Sequence, residues 1–288
     1  MTGSLKERRF LNLIDMCAEA QTGDRKDKNM EAYTDFASVY DELMDNIPYG
    51  TWCENIVEEL KHYGITDGIV CELGCGTGSV TELLAAKGFD MIGVDASQEM
   101  LRIACEKRAR SGKDILYLNQ DMREFELYGT VRAVVSICDS INYLLDKESL
   151  QACFRLVKNY LDPDGIFFFD FNTRYKYETV IGDAVIAENR EDCSFIWENY
   201  FESETCMNEY DLTIFIRAEG DSFTRFQEVH TQRGYTLEEI KEQITAAGLH
   251  FIKAYDADTL DAVTAESERI YCVAQKIGKE WQRAWIIS

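Results

Sequence analysis

Residues 69–79 read Ile69-Val70-Cys71-Glu72-Leu73-Gly74-Cys75-Gly76-Thr77-Gly78-Ser79. The apolar run Ile69–Leu73 has the length and composition of a buried strand. Three glycines follow at alternate positions, and then Val80, Leu83 and Leu84 fall on one helical face before Gly88 stops the pattern. Strand, glycine loop and helix in that order present backbone N–H groups and a helix N-terminus to a ligand. Glycines suit such a loop because no side chain blocks the ligand's approach. Asp95 stands seventeen residues beyond Gly78, at the end of a second apolar strand, Met91–Val94. A carboxylate there accepts hydrogen bonds from the two hydroxyls of a ribose.

The spacing also separates two kinds of nucleoside ligand. A dinucleotide fingerprint needs G-x-G-x-x-G, and its third position falls here on Ser79. The loop instead runs E-x-G-x-G-x-G, led by Glu72. A carboxylate is unfavourable beside a pyrophosphate and suits a ligand that carries an ammonium group. The pattern resembles the first motif of the class I S-adenosylmethionine-dependent methyltransferases, and the likeness extends from about residue 30 to residue 276. It implies that Gly74, Gly76 and Gly78 cradle S-adenosyl-L-methionine and that Glu72 lies near its methionine moiety. Asp95, with Ala96 beside it, resembles the family's ribose-binding position.

Length and composition bound the alternatives. The 288 residues hold one large domain or a domain with a sizeable insertion, and 46% hydrophobic content is enough for a packed core. The formal charge of −22 repels bare nucleic acid, so no nucleic-acid partner is expected and a small-molecule substrate is. The ten cysteines contain no C-x-x-C, and the three histidines are scattered, so no metal site is expected. Cysteines in apolar runs, no secretory leader and no run long enough to span a membrane point to a cytoplasmic protein. No oligomeric state is implied.

Residues 1–28 read as an N-terminal extension, a short amphipathic piece and a polar linker. The core is expected over 29–174. Its first part, Tyr33-Thr34-Asp35-Phe36-Ala37-Ser38-Val39-Tyr40-Asp41-Glu42-Leu43-Met44, resembles a segment with which many family members cover the cofactor. Tyr33 and Tyr40 are therefore candidates to touch it, while Phe36 suits an ordinary packing face equally well. Ser97 caps a helix through Arg110, and the strand Ile115–Leu118 delivers Gln120, Asp121 and Met122, which the resemblance places at the adenine. A fourth strand, Ala133–Ile137, delivers Cys138-Asp139-Ser140-Ile141-Asn142-Tyr143-Leu144. Ligands of open parallel sheets sit beyond the carboxyl ends of the strands. This loop resembles one that many family members carry, which implies that Cys138 contacts the cofactor through its backbone; Asp139 and Tyr143 are expected at the substrate, and Asp139 serves equally well as a helix cap. The turn Asp162-Pro163-Asp164-Gly165 feeds a fifth strand, Ile166–Asp170, with Asp170 and Asn172 facing the rim of the site.

Over 175–235 helical periodicity gives way to alternating runs, which predict a three- or four-stranded antiparallel lid inserted into the core. Its last run sets Glu228, His230 and Gln232 on one face and Arg225, Gln227 and Arg233 on the other. His230 is a candidate general base, and Arg233 or Arg225 a candidate partner for a substrate carboxylate. The core resumes over 236–288, with a capping box at Thr236–Glu239 and strands Phe251–Ala254 and Arg269–Gln275.

The expectation is an α/β fold, a doubly wound seven-stranded Rossmann-like sheet with an inserted antiparallel β-lid. Its expected function is methyl transfer from S-adenosylmethionine to nitrogen or oxygen of a small molecule. Asp139, His230 and Tyr40 are the candidate catalytic groups. A non-catalytic S-adenosylmethionine- or partner-binding protein, a tRNA methyltransferase and a nucleotide-cofactor oxidoreductase are the alternatives.

Overall fold

The computed structural model describes residues 48–218 and 220–278. The expectations for Tyr33, Phe36 and Tyr40, and for the extension 1–28, lie outside the described residues. Helix α1 (Tyr49–His62) precedes strand β1 (Ile69–Leu73), α2 (Ser79–Ala86), β2 (Asp90–Asp95), α3 (Gln98–Ser111) and β3 (Ile115–Asn119). Then come β4 (Val131–Ser136), a 3₁₀ turn (Ser140–Tyr143), α4 (Lys147–Tyr160) and β5 (Leu161–Asn172). The lid strands are β6 (Val185–Asn189), β7 (Cys193–Glu202), β8 (Met207–Arg217) and β9 (Phe223–Arg233), and α5 (Leu237–Ala246), β10 (His250–Asp256) and β11 (Arg269–Gln275) complete the core.

The seven core strands run β10-β11-β5-β4-β1-β2-β3. Only β11 opposes its neighbours, pairing antiparallel with both β5 and β10. The chain moves outward from β1 through β2 to β3, then returns to place β4 on the other side of β1. That reversal opens a crevice above the carboxyl ends of β1 and β4, the position where such sheets bind ligands. Strand β5 shows why the sheet is covered on both sides. Phe168 packs with Ile56, Leu60, Leu84 and Ile103 from α1, α2 and α3, while Phe167 and Phe169 pack with Phe154 and Ile244 from α4 and α5. Alternate side chains of a strand point to opposite faces, so a strand buried on both reads as an unbroken apolar run.

The helices begin where local chemistry dictates. Ser97, Asp146 and Thr236 each accept a backbone N–H in the first turn, and Glu239 completes a capping box with Thr236. One boundary differs from expectation. Leu161 already pairs with Val131, and pairing resumes at Ile166 opposite Ala133, so 162–165 bulge from β5 rather than precede it. Asp164 takes φ +65° there, and the bulge lets the strand begin five residues early.

The lid is four-stranded, in the order β6-β7-β8-β9, antiparallel throughout. A helical turn at Lys176–Ile181 precedes it, which alternation had not indicated. The inward face carries Trp197, Tyr210, Leu212, Ile214 and Phe226, and it also carries Glu228, His230 and Gln232. No disulfide joins the described cysteines, and no helix among the described residues is long and apolar enough to cross a membrane.

Candidate active site

The glycine loop is pinned to β2. Gly74 N and Cys75 N donate to Val94 O at 2.8 and 3.1 Å, and Gly76 N donates to Asp95 Oδ2 at 2.6 Å. Asp95 Oδ1 accepts Ser97 N at 2.7 Å, so one buried carboxylate joins the loop to the start of α3. Each oxygen has a second lone pair with which to accept a hydroxyl. The glycines answer different demands. At Gly78 an added Cβ would run into Tyr117 Oη and approach Ala104 Cβ to 3.1 Å, so that glycine lets α2, α3 and β3 pack closely. At Gly76, with φ +51°, nothing stands within 4 Å of an added Cβ. Open space at the loop apex, beside a carboxylate, fits a ligand approaching the backbone there.

Glu72 is buried on β1 and accepts the hydroxyl of Thr81 from α2. Burial pushes its carboxyl up to about 8; the Thr81 bond opposes the rise and the neighbouring Asp95 adds to it. A ligand ammonium nearby would favour the ionised form, so these two acids suit the cofactor implied by the glycine pattern. At the end of β3, Gln120 N donates to Asp95 O at 3.0 Å, and Asn119 Nδ2 ties to Ala96 O at 2.9 Å. Ala96 is exposed and Gln120 half-buried at the crevice edge. Asp121 is clamped by Arg123, whose Nε lies 2.9 Å from Oδ1; burial acts to raise its carboxyl, but the Arg123 bonds prevail and hold it below the ordinary range. Met122 packs into the core with Leu73, Val94 and Phe125.

Beyond β4 the chain turns sharply. Cys138 and Asp139 take φ +59° and +52°, in the left-handed region that non-glycine residues seldom adopt. Asp139 precedes the 3₁₀ turn but its side chain does not cap it. That carboxylate is fully buried, with Oδ1 3.0 Å from Arg269 Nη2 and Oδ2 2.6 Å from Gln232 Nε2 of the lid. Asp170 lies against the same guanidinium, 3.0 Å from Nη1. Burial raises both carboxyls, and Arg269 and Lys176 oppose that. Asp170 and Asn172 are thus enclosed beneath the lid rather than set on an open rim: Asn172 receives Lys176 Nζ at 3.0 Å and donates to Tyr177 Oη at 3.1 Å.

The other lid contact is made by His230. Its Nε2 lies 3.1 Å from Glu228 Oε2 and its Nδ1 3.1 Å from Tyr143 Oη, and Tyr143 Oη lies 3.1 Å from Tyr210 Oη. The ring stacks on Tyr210, 4.7 Å between centroids. Arg233 is not part of this group. It turns to the opposite face, pairs with Glu239 at 2.9 Å and covers the Tyr235 ring. His230 and Tyr143 are brought together, as are Asp139 and Asn172 with the ion cluster, whereas Arg233 stands apart. Sequence reasoning missed Arg269, Lys176 and Tyr117. A lone cation opening the apolar run Arg269–Gln275 was the available signal for the first. Among the described residues no His, Cys, Asp and Glu group is arranged to hold a metal.

A family profile described as a methyltransferase domain matches residues 70–165. YqeM of Bacillus subtilis (strain 168), provisionally named a methyltransferase, is 39% identical over 247 residues, covering 85% of this chain and 97% of its own. The dTDP-3-amino-3,4,6-trideoxy-alpha-D-glucopyranose N,N-dimethyltransferase of Streptomyces venezuelae is 26% identical over 220 residues, covering 75% of this chain and 90% of its own. The crystal structure of an S-adenosylmethionine-dependent methyltransferase from Clostridium acetobutylicum ATCC 824 superposes with a TM-score of 0.78 at 30% identity, covering 86% of this chain and all of that one.

Proposed function

Because the chain belongs to the class I S-adenosylmethionine-dependent methyltransferases, we propose that its acceptor is a small molecule bound between the β4 end and the lid. The methylated atom is an amine nitrogen or a hydroxyl oxygen. The observation that carries this reading is the buried line Glu228–His230–Tyr143, in which a lid histidine meets the loop after β4. The charge of −22 supports a small acceptor over nucleic acid, and the Streptomyces venezuelae relative's name describes an amino sugar nucleotide as its substrate.

Bound S-adenosylmethionine supplies an activated methyl group, so the protein's work is to orient the acceptor, exclude water and receive a proton. Gly74, Gly76, Gly78, Glu72, Asp95, Ala96, Gln120, Asp121, Met122 and Cys138 are the residues proposed to hold the cofactor. With Glu228 ionised, His230 carries its proton on Nε2 and accepts from Tyr143 at Nδ1. A proton leaving the acceptor passes to Tyr143 Oη as the phenol's own proton moves to His230, and Glu228 stabilises the imidazolium. Asp139 is held in the ion cluster and serves here as scaffold rather than base.

The test is transfer of labelled methyl from S-adenosylmethionine to separate panels of amines, phenols, carboxylates and transfer RNA. Transfer to a small amine or hydroxyl, reduced about 10²-fold in His230→Ala, is the expected result. Transfer to RNA alone, or full activity in that variant, would overturn the reading.

A further inference from the structure

The carboxylate of Asp170 closes on two successive backbone N–H groups. Cys138 N reaches Oδ2 at 3.2 Å and Asp139 N reaches Oδ1 at 2.9 Å. Consecutive N–H groups converging on one anion form a nest, and here the anion is the protein's own. Both donors belong to the residues with positive φ, so the conformation the chain resists is the one this carboxylate holds. Arg269 then bridges the anchor to the anchored, contacting Asp170 with one nitrogen and Asp139 with the other. Its guanidinium also lies over the Trp52 ring, 5.2 Å from the centroid.

Two further contacts extend this arrangement in opposite directions. On the cofactor side, Ser140 Oγ shares its proton between Ile137 O at 3.0 Å and Gly74 O at 3.3 Å, and Ser136 Oγ at the end of β4 donates to Leu73 O at 3.0 Å, so β4 and the turn after it border the first part of the glycine loop. On the lid side, Gln232 Nε2 donates to Asp139 Oδ2 and Tyr177 Oη donates to Gln232 Oε1 at 2.7 Å. Asp139, Asp170 and Gln232 show no exposed surface.

We propose that Asp170, Arg269 and Gln232 are positioning residues that couple the seating of the lid to the shape of the S-adenosylmethionine site. The strained turn at Cys138–Asp139 is the shared element, held from below by Asp170 and from above by Gln232. An unseated lid removes one partner from a buried carboxylate and loosens the turn that borders the glycine loop. Filling the cofactor site favours the ordered turn and so favours the seated lid. Coupling of this kind is reciprocal. The proposal rests on the cofactor lying over β1 and β4.

The test begins with the unmodified protein. Hydrogen exchange with and without saturating S-adenosylmethionine is expected to show slower exchange in β9 as well as around residues 72–78 and 138–140. In Gln232→Met the β9 response is expected to vanish and the calorimetric Kd to rise about tenfold; the loss of two buried hydrogen bonds lowers the apoprotein's melting temperature, and near-ultraviolet circular dichroism like the parent's shows that the variant is still folded. Arg269→Lys, which keeps the charge, is expected to recover part of the affinity lost in Arg269→Met. A cofactor effect confined to the core, or a β9 response that persists in Gln232→Met, would overturn the coupling. Asp95→Ala separates the two failures: unchanged affinity in that variant would remove the cofactor placement, whereas weakened affinity there with unchanged Gln232→Met removes only the coupling.

Discussion

The hydroxyl of Thr81 donates to the buried carboxylate of Glu72, which makes α2 and β1 partners across the glycine loop. That bond is too weak to offset burial, and Glu72 sits at about 8 against an ordinary 4.5. Between those values the folded apoprotein keeps a proton that the unfolded chain has released. Stability therefore falls as pH rises through that window, by about 1.4 kcal/mol per pH unit from this group. Chemical denaturation at several pH values is expected to show this slope in the parent and a flatter one in Glu72→Gln. Because an ammonium favours the ionised carboxylate, calorimetry in buffers of different ionisation enthalpy at pH 7 is expected to show proton release on S-adenosylmethionine binding. No proton release would mean that the ammonium lies elsewhere.

The oxygens of Asp95 hold Gly76 N and Ser97 N, and the proposed cofactor site adds the ribose hydroxyls to their partners. Asp95→Ala removes the loop anchor and the hydroxyl acceptors together. Charge-assisted hydrogen bonds contribute about 1.5–3 kcal/mol each, so affinity for S-adenosylmethionine is expected to fall by about 10²-fold or more. Titration calorimetry reads this directly.

In the proposed proton path Glu228 accepts from His230 Nε2, which turns the other ring nitrogen to Tyr143 as an acceptor. Glu228→Gln leaves the side chain's shape and lets the imidazole take the other tautomer. With an acceptor in hand, kcat is expected to drop about tenfold or more while cofactor Kd stays at the parent value. Equal loss in both quantities would assign Glu228 to folding of the lid instead.

Tyr117 crosses Gly78 and Gly93, and its hydroxyl is buried beside the Thr81 side chain. Tyr117→Phe removes the oxygen that an added Gly78 Cβ would meet, and is expected to leave the apoprotein within about 1 kcal/mol of the parent, seen as a little-changed urea midpoint. Gly78→Ala meets both φ +75° and the phenol oxygen, and is expected to destabilise by about 2 kcal/mol or more. Combining it with Tyr117→Phe should recover the part due to contact and leave the part due to φ. Strict additivity would show that the two side chains do not meet.

What was legible in the chain was what short segments decide for themselves. The run Ile69–Ser79 gave up its strand, loop and helix because burial, glycine and helical spacing are all local signals. Ser97 and Thr236 were readable for the same reason, each capping a helix within three residues. Alternation correctly grouped Glu228, His230 and Gln232, yet it does not say what a strand face meets. That information sits in pairs such as Gln232–Asp139, 93 residues apart, and Arg269–Asp139, 130 apart. Lys176 was overlooked because a single helical turn is too short to show a period, and its burial depends on carboxylates supplied by other strands.

The bridge between Thr173 and Tyr235 marks where the inserted sheet leaves and rejoins the core, and it looks like a natural place to cut. The buried charges make it a poor one for exchanging lids between relatives. A graft joined there would bring its own residues to the positions of Lys176 and Gln232 while leaving Asp139, Asp170 and Arg269 in the host. Unless the donor matched that arrangement, the host would keep an acid with too few partners in a dry interior. Chimeras of these enzymes should therefore carry the three core residues along with the lid, as one transplanted unit.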